Sequence, residues 1–124
     1  MSKIIGKGDH QSHYDMGMSY KEMGLFEEAL REFELAAASP ELRSSSEEMR
    51  AAVLIELGRH EECVRLLESL APDGSGESIG IHFLLGLAYE KLGMKGPALR
   101  EYRVVEERDP GFRDVRKRIA RNSA

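Results

Sequence analysis

Three stretches of the chain can be laid under one another at offsets of 34 and 35 residues without losing the physical character of a column. Gly17, Ala51 and Gly86 share one column, Tyr20, Leu54 and Tyr89 the next, and Gly24, Gly58 and Gly93 mark a turn four residues on. Ala29, Cys63 and Ala98 follow, then Phe33, Leu67 and Tyr102, then Ala36, Leu70 and Val105. Small side chains let helix backbones approach closely, and the large apolar ones fill the space between them. The turn glycine supplies the left-handed conformation that ends many helices. A period of this length belongs to a stacked array of helix pairs, each burying its apolar side against its neighbours.

Read in this register, the chain holds six helices in three hairpins, over about residues 10–23, 26–38, 45–57, 60–71, 79–92 and 95–108. Ser44, Ser45 and Ser46, with Glu47 and Glu48 behind them, are expected to cap the third helix. The stretch from Pro72 to Ser78, PDGSGES, is too rich in turn formers for a helix and reads as a linker. A seventh helix is expected across about 111–121, behind Asp109 and Pro110. On it Phe112, Val115 and Ile119 share a face, while Arg113, Arg116, Lys117 and Arg118 fall largely elsewhere. Such a helix covers the apolar side of the last hairpin and turns its charges to solvent. Residues 1–9, with Ile4 and Ile5, are expected to form a mobile N-terminal segment. The repeat domain is expected to occupy 10–124, with repeats over about 10–43, 44–78 and 79–110.

At 124 residues, 41% hydrophobic and 32% charged, the chain suits one soluble domain. No apolar run approaches the roughly 18 residues of a membrane span, so no membrane insertion is expected. The opening MSKIIGKGDH lacks the apolar core of a signal peptide. Cys63 is the single cysteine, which excludes a disulfide within the chain. A cytoplasmic location is the expectation. Residues 111–124 carry five Lys or Arg and one Asp against a total charge of −4, so the preceding 110 residues are acidic. An acidic body and a basic end without aromatic platforms do not favour a nucleic acid partner.

HYDMGMSYKEMGLFEEALREFELAAASP carries small, aromatic, glycine, alanine, aromatic, alanine and proline signals in order, and HFLLGLAYEKLGMKGPALREYRVVEERDP does so again. MRAAVLIELGRHEECVRLLESLAP is a divergent copy, with Ala51 as its small residue, Leu54 for the tyrosine, and Arg50 where its neighbours have Met16 and Leu85. This pattern resembles the tetratricopeptide repeat. The resemblance implies an all-α fold of three antiparallel helix hairpins stacked as a right-handed superhelical solenoid with a C-terminal capping helix. It also implies a concave groove, lined by the first helix of each hairpin, that receives an extended or helical segment of another protein.

Carried onto this chain, the register puts Tyr14, Met18, Lys21 and Glu22 in that groove from the first hairpin. Met49, Ala52 and Ile55 come from the second, and Phe83, Leu84, Leu87, Glu90 and Lys91 from the third. The groove centre is apolar, with charges gathered toward one end. Chaperone-binding members of the family clamp a terminal carboxylate with lysine, asparagine and arginine on this face. Here Tyr14, Met18, Ala52 and Phe83 occupy it instead, so the implied occupant is an amphipathic helix or an extended apolar segment. Self-association into a homodimer through the same patch is the competing use.

Other chemistry finds little support in the residues. His60 and Cys63 lie three apart on one helix, but Cys63 falls in the small packing column, where a thiol is buried and inert. His10 and His13 with Asp9 and Asp15 lack a ligand set beyond one close pair. GSGESIG follows a helix and lacks the ending of a phosphate loop. No catalytic residue, metal or cofactor is expected.

The reading is therefore an adaptor or scaffold that is not an enzyme. The first repeat is similar to repeats of bacterial scaffolding proteins in pilus, motility and secretion assemblies. The alternatives are a secretion-type chaperone for an apolar client segment, and a docking or regulatory domain of a longer, enzymatic chain.

Overall fold

A computed structural model describes residues 7–70 and 78–123, with the side chains of Lys7 and Gly8 left aside. Seven helices and no strand occur among them: α1 (Lys7–Glu22), α2 (Phe26–Ala36), α3 (Arg43–Glu56), α4 (His60–Leu70), α5 (Ile79–Lys91), α6 (Lys95–Arg108) and α7 (Val115–Ser123). The fold is an all-α helical repeat. It divides into two compact units, one ending at Gly58 and the other beginning at Arg59.

In the first unit α1 and α2 form a hairpin and α3 packs along α2. The hairpin turn is the one the glycine column predicts. Gly24 has φ +78, the Leu25 amide donates to Tyr20 O at 2.9 Å, and the Gly24 amide donates to Lys21 O. Those bonds satisfy carbonyls that the end of α1 would otherwise leave bare. Gly17 is required for a different reason. A methyl group there would lie 2.6 Å from the Phe33 ring, so its absence lets α2 press Phe33 against the α1 backbone. Ala29, Phe33 and Val53 form the buried cluster of this unit. His13 on α1 meets Glu32 on α2, with Nδ1 and Oε1 2.6 Å apart.

In the second unit α4 packs on α5, α5 and α6 form a hairpin, and α7 lies on α6. The α5–α6 hairpin repeats the first closely. Gly93 has φ +77, the Met94 amide donates to Tyr89 O at 2.9 Å, and a methyl group on Gly86 would lie 2.4 Å from the Tyr102 ring. His82 and Glu101 reproduce the His–Glu pair at 2.7 Å. Ala98, Tyr102 and Val105 are buried with Val115 of α7, while Phe112 and Ile119 pack against them. The apolar face expected of the last helix is the one it buries.

Several boundaries differ from expectation. α1 starts at Lys7 rather than His10, so residues 7–9 are helical; Ile4 and Ile5 lie outside the described residues, as do 72–77 of the expected linker. Ser78 itself caps α5, its Oγ accepting the Ile81 amide at 3.3 Å. The serine cap of α3 is a correction. Its N-cap is Leu42, with no side-chain hydrogen bond, and Ser46 is buried within the helix with no hydrogen-bond partner for Oγ. α7 begins only at Val115, because Pro110–Asp114 forms a turn in which Asp109 Oδ1 accepts the Gly111 amide and Arg113 takes φ +48. Arg50 is half-buried and donates to Glu47 at 2.8 Å.

Candidate partner-binding face

In the first unit, three of the α1 and α3 residues assigned to the groove lie at the edge of one apolar cluster. Tyr14, Met18 and Met49 all pack against the Ala29, Phe33 and Val53 core and all remain partly open. Tyr14 stands edge-on to Phe33 with ring centroids 5.7 Å apart, which fixes its plane. Its hydroxyl is held above the ordinary phenol value by burial first, then by the charges of Glu48 on α3 and Asp15 on α1. Side chains of α1 and α3 thus reach one cluster, whose core lies on α2 and α3. Ala52, Ile55 and Lys21 are half-buried, and Glu22 is exposed. What results is an apolar shelf with two flexible methionines and carboxylates at its rim. It can bury apolar side chains of a ligand and offer acceptors to its polar groups.

Of the third-hairpin residues assigned to the groove, Phe83 and Leu84 are buried within the unit rather than open. Phe83 is 3% exposed and Leu84 8%. α5 is apolar on every side, with α4 and α6 against it, so its middle turns from Ile81 to Ala88 are buried except at Leu87. Phe83 is covered further from the C-terminal end of the chain. Its ring meets Phe112 at 5.4 Å and Tyr102 at 5.7 Å, and the guanidinium of Arg113 lies 5.3 Å from its centroid. Leu87 is half-buried against the same cluster, and Lys91 is exposed.

Glu90 is engaged within the unit. Tyr102 donates to its Oε1 at 2.5 Å, Arg118 to the same oxygen at 3.1 Å, and Arg121 to Oε2 at 3.2 Å. Burial pushes this carboxyl up, but the hydrogen bonds from Tyr102 and Arg118, the Arg118 charge and the bond from Arg121 outweigh it and hold Glu90 below its ordinary value. Arg118, expected away from the apolar face, thus turns inward to Glu90 and Asp114. The sequence signal was present in the run of arginines one helical turn apart, whose carboxylate partner lies 28 residues upstream.

Cys63 is wholly buried, and burial pushes its thiol up to about 12, which leaves no thiolate for chemistry at neutral pH. Among the described residues no three His, Cys, Asp or Glu side chains converge as metal ligands. No described helix is long and apolar enough to cross a membrane.

Comparison with known proteins agrees with this architecture. Residues 10–39 match the tetratricopeptide repeat family. The Arabidopsis OM64 TPR domain superposes with a TM-score of 0.84 at 14% identity, covering 94% of this chain and 96% of that one. The MamA RS-1 ArsTM double mutant superposes with a TM-score of 0.77 at 18% identity over 94% of this chain, which spans 65% of that one. No curated protein matches. Residues 10–39 thus match a tetratricopeptide repeat, and the described residues share the helical-repeat fold of the superposed domains.

Proposed function

We propose that the protein is an adaptor that binds an apolar or amphipathic segment of another protein on the α1–α3 shelf. It acts as a binding module, without cofactor or catalysis, and works in the cytoplasm. The observation that carries this reading is the position of Tyr14, Met18 and Met49. They belong to a folded core, so they are held in place, yet each keeps apolar surface in water. A partner that covers them gains burial without ordering the shelf first. Lys21, Glu22 and the acidic rim orient the ligand; Ala52 and Ile55 extend the shelf along α3. The third hairpin's Phe83 and Leu84 serve the internal packing of the second unit, and Lys91 and Leu87 lie outside the proposed shelf.

Placing a photo-crosslinking residue at Met49 and irradiating the protein in its native source tests this. The expected result is one dominant protein adduct whose crosslinked peptide is apolar or amphipathic, with no such adduct from the same residue placed at Arg103 on the exposed side of α6. Equal adducts from both places would remove the shelf from consideration.

A further inference from the structure

We infer that the outer side of α1 is a second docking surface, built to receive an amphipathic helix of a partner protein that carries a carboxylate. Its exposed methionines, Met16 and Met23, are distinct from the shelf residues, while Tyr20 packs against the core that also supports the shelf. One repeat column, followed through the three sequence repeats, shows what it is for. On α5 the column holds Ile81, Leu85, Ala88, Tyr89 and Leu92; the first three are buried, and α4 packs on this helix. On α3 it includes Ser46, Val53 and Leu54, again buried, in a helix packed by α2. On α1 the same places hold Ser12, Met16, Ser19, Tyr20 and Met23. There Met16 is 42% exposed and Met23 62%.

The second unit also shows the chemistry of the occupant. α4 brings Glu61, Val64, Arg65 and Glu68 to a concavity of about 430 Å³ shared with Tyr89, Leu92 and Met94. The Tyr89 hydroxyl donates to Glu68, and Arg100 acts on the same hydroxyl. At the first hairpin Tyr20, Met23, Leu25 and Arg31 hold the places of Tyr89, Leu92, Met94 and Arg100. The residue types of the receiving half therefore recur in the first hairpin, a tyrosine and an arginine among them. The donor does not come from a second copy. The helices of the donor type, α2, α4 and α6, already lie on α3, α5 and α7.

The probe is a synthetic peptide of residues 59–70 with Cys63→Ser, the internal occupant of the equivalent face. It is titrated into the full chain labelled at its methionine methyls. The expected result is a saturable shift of the Met16 and Met23 signals with Met18 and Met49 unmoved. Met16→Glu in the chain should weaken binding by about tenfold or more, and Glu68→Gln in the peptide by several-fold. Shifts at Met18 and Met49, shifts confined to Met94, or no shift at millimolar peptide would each overturn the proposal. So would Met16 and Met23 signals that move with protein concentration alone, since that marks a face between copies. None of these outcomes depends on the α1–α3 shelf having a ligand.

Discussion

Tyr102 on α6 donates its hydroxyl hydrogen to Glu90 on α5, and the corresponding places of the first repeat hold Phe33 and Lys21, where neither the donor nor the acceptor exists. The two outer hairpins thus share a packing design but differ in one polar clamp. That clamp also gathers Arg118 and Arg121 and ties α7 to α5.

Removing the hydroxyl with Tyr102→Phe should cost about 1 kcal/mol, since Phe33 shows that a phenyl ring fits the column and only the hydrogen bond is lost. Glu90→Gln should cost more, about 1.5–3 kcal/mol, because three donors lose a charged acceptor. Thermal melts of the two variants check the order. Equal costs would mean that the arginines contribute nothing.

Glu90 also sets a pH dependence. Its carboxyl lies below the ordinary 4.5 in the folded protein, so the stability it contributes is fully present above 4.5 and is lost as pH falls through the lower folded value. Acid titration followed by circular dichroism should show stability declining below that pH. The decline should be shallower in Glu90→Gln.

Gly86→Ala and Gly17→Ala should each destabilise by about 1–3 kcal/mol, because the added methyl meets an aromatic ring held in the core. The divergent repeat pairs Ala51 in this column with Leu67 in the aromatic one. Gly17→Ala combined with Phe33→Leu should therefore recover part of the loss. A double variant no better than the sum of the two singles would show that the columns do not interact as described.

Phe83→Ala should lower stability by about 3–5 kcal/mol, as expected for a buried ring that Phe112 and Tyr102 both contact. A residue that only faced a ligand would show little change in the melting temperature.

Helix order, turn positions and the buried columns were legible in the sequence because each depends on spacing alone. Gly24, Gly58 and Gly93 all take φ near +78, and Ala29, Cys63 and Ala98 are all wholly buried. Coverage was less legible. Periodicity puts Tyr14 and Phe83 in one column, but Phe83 is covered by Phe112 and Arg113, which belong to no repeat and sit in a turn before α7. The serine cap failed because the turn through Leu42 starts α3 at Arg43, carrying Ser46 into the core. Arg118 was misplaced for a related reason: a charged residue on a short helix reads as solvated until its distant carboxylate is known.

The measurement that bears most directly on the shelf is partner retention by Met18→Glu and Met49→Glu, with Arg103→Glu as the control. Both shelf variants should keep the helicity of the parent protein and lose the crosslinked partner, because each puts a charge into a surface that must shed water. Full retention of that partner by folded Met18→Glu and Met49→Glu would contradict the account.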